Sequence, residues 1–195
     1  MSEYHQPLLP GHSYHLFSRA VGNEKLFLSP ENYLFFLQKL KQHTSGVCDL
    51  YCYSLLPNHF HLFSKIKEET ALIQHFQEIK KKKFELLQHD LSGFIMERFS
   101  NFLNSYTKAF NKVNKRKGAL FMDYLKRSKV NEAGDFTSSI WYVHKNAVHQ
   151  QLVKSIGEWK YDSYHSLISQ SPTSLLRSEV IAWFGSREQF IKFHQ

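Results

Sequence analysis

Two histidines one residue apart are the sharpest chemical feature of the sequence. His59 and His61 lie in the segment 56–62, which reads Leu-Pro-Asn-His-Phe-His-Leu. Residues two apart in a strand point to the same face, so both imidazoles would lie on one side and Phe60 on the other. Two neutral imidazoles held in this way can ligate a divalent cation. The chain has twelve histidines, so a chance pair explains the spacing as well as metal binding does.

A helix predicted to run from Asp135 to about Val148 offers a third ligand and a nucleophile. Tyr142 and Asn146 are four residues apart and therefore share one face of that helix. A metal on two imidazoles needs at least one more protein ligand, and an amide oxygen suits a hard cation. A tyrosine becomes a useful nucleophile where a nearby cation stabilises its phenolate. Spacing alone does not choose among ten tyrosines, and a Tyr142 packed in the core with a hydrogen-bonded hydroxyl is the alternative.

The apolar pattern predicts the elements that must position these side chains. The predicted order is a strand at 13–21, a helix that Ser29 caps and that ends near 45–46, a hairpin of 47–56 and 60–66, a charge-rich helical segment at 67–98, a helix at 99–113, a strand at 120–130 and a helix at 135–148. Short helical segments follow near the end. This order predicts an α+β fold, a ferredoxin-like or RRM-like antiparallel sheet with helices packed on it.

The charge balance favours an acidic partner. Lys and Arg number 25 against 17 Asp and Glu, which gives a formal charge of +8. Nucleic acid and an anionic membrane surface are both partners of that kind, although charge alone is weak support for either. The run Lys80–Lys83 is either a solvated helix face or a DNA contact. The length fits one domain.

The two cysteines and the apolar stretches point to a cytoplasmic protein. Cys48 and Cys52 are four residues apart in a predicted strand, so we expect them to share a face as small core residues. They make neither a disulfide framework nor a zinc site with recognised spacing. The first ten residues lack the apolar run of a signal peptide, and no stretch approaches the ~20 apolar residues of a membrane span.

Several segments together resemble one known family. The stretch 56–62 resembles the His-hydrophobic-His (HUH) motif of single-tyrosine HUH transposases, in particular the REP-associated tyrosine transposases, which are related to insertion-sequence transposases. Five further segments resemble the family's elements in the right order: Tyr14–Arg19, Ser105–Asn111 with Gly118–Phe121, Tyr142–Val148, Trp159–Tyr164 and Phe184–Ser186. The resemblance covers most of the chain.

The resemblance implies roles for individual residues. His59, His61 and Asn146 would be the ligands of Mg²⁺ or Mn²⁺, and Tyr142 would be the nucleophile. Tyr106 matches a position that the family does not use for attack, so we interpret it as structural or DNA-facing. The basic side chains expected to hold the DNA backbone are Arg19, Lys115, Arg116, Lys117, Lys126 and Arg127.

The implied protein is a single HUH-type transposase domain over residues 1–195, with a helical insertion at about 68–97 and a C-terminal extension at about 155–195. It would cut single-stranded DNA near hairpins through a 5′-phosphotyrosine intermediate and transfer the strand, as a monomer or a homodimer. Two alternatives stay open. One is a non-catalytic nucleic-acid-binding module, although no strand carries the aromatic run of RNA-recognition domains. The other is a domesticated transposase that binds DNA without cutting it.

Overall fold

A computed structural model describes residues 6–122, 125–131 and 133–195. Within these ranges the strands are β1 Ser13–Arg19, β2 Cys48–Leu56, β3 His59–Ile66 and β4 Lys126–Val130. The helices are α1 Pro30–Thr44, α2 Glu69–Lys80, α3 Leu91–Val113, α4 Ala133–His149, α5 Tyr164–Ile168, α6 Arg177–Trp183 and α7 Arg187–Phe193. No helix in the described ranges is long and apolar enough to span a membrane.

The four strands form one antiparallel sheet in the order β2-β3-β1-β4. With α1 between β1 and β2 and α3 between β3 and β4, this is the split βαβ arrangement of ferredoxin-like folds. The predicted α+β class is confirmed. β1 and β3 lie at the centre of the sheet, and their register sets Phe17 opposite His61 and Arg19 opposite His59.

The sheet has a different core on each face. Leu16 of β1 and Leu62 of β3 pack into the core that contains α1 and α3. Phe63 of β3 packs into a second core with Ile140 and Val143 of α4 and with the C-terminal helices. Since side chains alternate along a strand, the residues of β1 and β3 that share the face of Phe63 are turned toward α4. The predicted histidine pair is on that face.

Local capping explains two helix boundaries. The Asn32 side-chain oxygen accepts hydrogen bonds from the backbone amides of Leu28 and Ser29, which starts α1 where the sequence predicts it. α3 begins eight residues before the predicted Phe99, because the Asp90 carboxylate accepts from two amides of its first turn. The predicted insertion at 68–97 thus contains α2, a non-helical connection and the first two turns of α3.

One prediction about the cysteines is wrong. Both are buried and unpaired, but Cys48 lies in the core with α1 and α3, whereas Cys52 lies in the core with α4. The cause is a register shift between Leu50 and Cys52 in the pairing of β2 with β3. An extra residue in a strand reverses the alternation of its side chains, so residues four apart no longer share a face.

The strand predicted at 120–130 is shorter than expected. β4 covers only its last five residues, and Phe121 makes a single bridge to Ala20 at the end of β1. Asp123 and Tyr124 lie outside the described residues. The predicted C-terminal extension contains α5, α6 and α7, which pack on the α4 face of the sheet.

Candidate active site

The histidine pair lies at the start of β3, on the face that α4 covers. The two rings are nearly perpendicular, with their centroids 5.2 Å apart. His59 Nδ1 is 2.7 Å from the Asn58 side-chain oxygen, which can only accept, so this nitrogen carries the proton and Nε2 keeps its lone pair. Burial lowers the pKa of both rings, for His61 to about 2. Both imidazoles are therefore neutral at pH 7, which is the form that ligates metals.

The tyrosine predicted as nucleophile faces this pair. α4 is anchored to the sheet by its buried Ile140 and Val143, and Tyr142 between them is 41% exposed. Its ring meets those of His61 and His15 edge-on, at centroid distances of 5.9 and 5.7 Å. This exposure excludes the alternative in which Tyr142 is packed in the core. The tyrosine and the histidines belong to the same chain, so one chain brings them together.

Asn146 is one turn further along α4 and only 4% exposed. Its amide nitrogen donates to the Tyr142 carbonyl at 2.8 Å, which identifies Oδ1 as the other atom of the amide and as its acceptor. Gln150, a further turn along, lines the same cavity as His59 and His61. Tyr142 and Asn146 therefore lie one turn apart on α4, and Gln150 follows directly after its last residue. Gln150 was not predicted from the sequence, although the spacing of four residues indicates it.

A cavity of about 280 Å³ opens beside the histidine pair. It lies between the end of β1, the starts of β3 and β4, and the residue that follows α4. Two cations line it, Arg19 and Lys126, and the Arg19 Nε donates to Met122 Sδ at 3.0 Å. The cavity therefore combines two neutral imidazoles with two positive charges, a setting that suits a phosphate group.

A metal held by His59 and His61 needs at least one further protein ligand. Among the described residues, no three His, Cys, Asp or Glu side chains are grouped so that they could hold a metal ion. A site built on His59 and His61 must therefore take a ligand of another type. The residue expected from the sequence, Asn146, lies one turn from Tyr142 on α4 and is not among the residues that line the cavity beside the histidines. An amide oxygen suits Mg²⁺ and Mn²⁺, whereas imidazole is a ligand of transition-metal ions. Of the two metals expected from the sequence, Mn²⁺ therefore fits these donor types better than Mg²⁺.

His15 is a further residue of the site that was not predicted from the sequence. Its Nε2 lies 2.8 Å from His61 Nδ1, and the two rings are within 17° of parallel with their centroids 5.0 Å apart, as in rings hydrogen-bonded edge to edge. Burial lowers the pKa of His15 to about 4. The alternation in β1 predicts that His15 and Phe17 share a face, but the contact with His61 depends on the pairing of β1 with β3.

The remaining predicted DNA contacts differ in their surroundings. Arg116 pairs with Glu24 and donates to the Ala119 carbonyl at 2.6 Å, and Arg127 donates to the carbonyls of Gln6 and Leu125. Lys115 and Lys117 are exposed in the loop after α3. Only Arg19 and Lys126 of the predicted set line the cavity.

Tyr106 occupies a different environment from Tyr142. It is 1% exposed in the core between the sheet and helices α1 and α3, and its hydroxyl donates to the Leu26 carbonyl at 2.6 Å. Of the two interpretations of Tyr106, structural and DNA-facing, this buried position agrees with the structural one.

The fold and the site define an α+β protein whose ferredoxin-like sheet carries a histidine pair beneath a tyrosine-bearing helix. Among solved structures it is similar to that of a REP-associated tyrosine transposase bound to a REP hairpin. The match has a TM-score of 0.64 at 13% identity and covers 89% of this chain and 90% of that one. No protein-family model and no curated protein matches the chain. The predicted resemblance is thus confirmed for the fold.

Proposed function

We propose that this protein is a metal-dependent nuclease and strand transferase that cuts single-stranded DNA beside hairpins. The observation that carries the proposal is the position of Tyr142, half exposed above His61 on the cavity side of the sheet. Tyr142 meets the neutral imidazoles of His61 and His15 edge-on, and His61 also lines the cavity that holds Arg19 and Lys126, so a phosphodiester bound there would lie near the tyrosine.

The proposed reaction is a transesterification. The Tyr142 hydroxyl oxygen bonds to phosphorus, the bond from phosphorus to the 3′ oxygen breaks, and the 3′ hydroxyl leaves with a proton. The product is a 5′-phosphotyrosine, and attack by a 3′ hydroxyl reverses the step and joins strands without ATP. When held by His59, His61 and Asn146, Mg²⁺ or Mn²⁺ supplies charge that offsets the charge developing on the phosphate.

A hairpin-forming strand is the proposed substrate. The similar solved protein is bound to a REP hairpin, and this chain has the same fold and a net charge of +8. Arg19 and Lys126 would contact the phosphate at the cavity, while Lys115 and Lys117 would contact the DNA backbone further away.

We also propose that the chain forms one transposase domain. A single chain suffices for the site, because Tyr142 lies over the His61 of the same chain.

The test is formation of a covalent adduct. Labelled hairpin oligonucleotides with single-stranded flanks are incubated with the protein and Mn²⁺, and the products are separated on a denaturing gel. We expect a protein–DNA band that EDTA abolishes and that peptide mapping assigns to Tyr142. Oligonucleotides of equal length that form no hairpin are the control. Tight, salt-sensitive binding to a broad pool of hairpins without any adduct would favour the binding-module or domesticated alternative.

Lys126 is expected to contribute to binding through charge alone. Lys126→Ala should weaken hairpin binding roughly 5-fold at 0.15 M salt, by about the same factor for every sequence, because one counterion fewer is released. The slope of log affinity against log salt should fall by about 1. Titrations at several salt concentrations measure both effects. Lys39→Ala on α1, on the opposite face of the sheet, is the matched control, and an equal change in both variants would contradict the assignment.

A further inference from the structure

We propose that His15 is a positioning residue that fixes the tautomer of His61. By accepting the proton of His61 Nδ1, it leaves His61 Nε2 with a free lone pair. This inference rests on the proposed function, since it concerns one of the metal ligands assigned there.

His15 Nε2 lies 2.8 Å from His61 Nδ1. At that separation one nitrogen donates a hydrogen bond and the other accepts it. A neutral imidazole carries a single N–H. If His61 accepts at Nδ1, its proton is on Nε2. Neither nitrogen can then ligate a metal, because Nε2 is protonated and Nδ1 is occupied by the hydrogen bond from His15. If His61 donates from Nδ1, Nε2 is free. Only this second assignment is compatible with a metal ligand at position 61.

The other proposed histidine ligand shows the same arrangement. His59 Nδ1 donates to the Asn58 side-chain oxygen, which leaves its Nε2 free. Each ligand thus has its Nδ1 occupied by a neighbouring side chain, Asn58 for His59 and His15 for His61. Metal-ligating histidines generally donate their second N–H to an acceptor that sets tautomer and ring orientation. His15 has that relation to His61.

The surroundings of His15 hold it in place. It lies on the central strand β1, where its ring is within 25° of parallel to those of Phe17 and His61, with centroids 5.1 and 5.0 Å away. The Tyr142 ring meets it edge-on at 5.7 Å. A swing of His15 would require these packed rings to move, so its Nε2 stays directed at His61. His15 therefore contacts both the proposed metal ligand His61 and the proposed nucleophile Tyr142.

The first test reads the tautomer directly and needs neither metal nor DNA. Side-chain ¹⁵N NMR of the metal-free protein should show His61 protonated on Nδ1. In His15→Phe, which keeps a ring but removes the acceptor, the proton should move to Nε2. In His15→Gln, whose amide oxygen can accept, the Nδ1 proton should be largely restored. A wild-type His61 protonated on Nε2 would overturn the inference without any variant having to fold.

The second test measures Mn²⁺ affinity from the EPR signal of free Mn²⁺. His15→Phe should bind Mn²⁺ roughly 10- to 100-fold more weakly, and His15→Gln should recover most of the loss. His12→Phe, the same substitution just before β1, is the matched control and should bind as wild type.

The outcomes separate this inference from the proposed function. Wild-type adducts together with unchanged Mn²⁺ affinity and an unchanged His61 tautomer in His15→Phe would overturn the role of His15 alone. A wild-type protein with the expected tautomer that binds no Mn²⁺ would refute the proposed metal-dependent chemistry and leave the tautomer assignment supported.

Discussion

Replacing Tyr142 with phenylalanine should abolish the covalent protein–DNA adduct, with a loss of at least roughly 10³-fold, while hairpin binding is retained. The variant removes only the hydroxyl oxygen that would bond to phosphorus. The phenyl ring can keep its edge-on contacts with His61 and His15, so the packing against these two histidines is preserved. Denaturing gels measure the adduct, and a gel-shift titration with the same hairpin measures binding.

Tyr106→Phe is the matched control because it also removes one tyrosine hydroxyl. That hydroxyl is buried and donates to the Leu26 carbonyl. Its loss leaves a buried acceptor without its partner and should lower the free energy of unfolding by about 1–2 kcal/mol. Adduct formation should persist. If Tyr142→Phe still forms the adduct and Tyr106→Phe does not, the nucleophile has been assigned to the wrong tyrosine.

Much of the site could be predicted because it depends on local periodicity. The pairing of His59 with His61 follows from strand alternation, and that of Tyr142 with Asn146 from helical spacing. In the structure His59 and His61 line one cavity, and Tyr142 and Asn146 lie one turn apart on α4, as the sequence predicts. The element order was also sufficient for the sheet, since strand, helix, two strands, helix and strand is the sequence of a ferredoxin-like fold.

What the sequence did not reveal depends on long-range pairing. The contact of His15 with His61 requires the register between β1 and β3. The separation of Cys48 from Cys52 requires a local irregularity in β2 that no residue type announces. Arg116 could not be distinguished from the other basic residues before the structure showed that Glu24 holds it. Sequence position gives each side chain its face but not its partner on another element.

The placement of Tyr142 depends on how α4 is held from its buried side. His144, two residues after the tyrosine, is fully buried. Its Nδ1 lies 3.0 Å from His194 Nε2 after α7, and its Nε2 lies 2.9 Å from the Ser163 hydroxyl. Three segments distant in sequence are thus joined behind the nucleophile.

One direction of donation satisfies this chain with neutral groups. The His194 Nδ1 lies 2.8 Å from the Phe190 carbonyl and must donate to it, so Nε2 accepts from His144 Nδ1. His144 Nε2 then accepts the single hydroxyl proton of Ser163 at 2.9 Å, in preference to the Tyr53 carbonyl at 3.2 Å, while the Ser163 oxygen accepts from the Tyr53 amide at 2.9 Å. Burial lowers the pKa of His194 to about 4 and that of His144 well below its usual value. Both rings are therefore neutral, as the chain requires.

Replacing His144 with alanine should lower the free energy of unfolding by about 3–5 kcal/mol. The change creates a cavity and leaves Ser163 and His194 without their shared partner in a buried site. Urea denaturation at pH 7.5 measures the effect. His149→Ala, at the exposed end of the same helix, is the control and should change stability by no more than about 0.5 kcal/mol. Equal losses in the two variants would contradict a role for the buried chain.

The same chain should make stability depend on pH. A histidine whose pKa is lowered on folding binds more protons when unfolded, so its contribution is present above the unfolded pKa near 6.5 and is lost as pH falls toward 4. For His194 this amounts to about 3 kcal/mol. Asp162 acts in the opposite sense, because burial raises its pKa to about 7 and its contribution is lost as pH rises.

A comparison of variants separates these two effects. His194→Phe removes the histidine contribution and leaves that of Asp162, so the fall in stability between pH 6.5 and 4 should be smaller than in the wild type. Urea denaturation across this range measures the difference. A variant whose stability falls as steeply as that of the wild type would show that protonation of His194 is not coupled to folding. The coupling matters for the site because the chain that protonation breaks is the one that holds the tyrosine helix against the sheet.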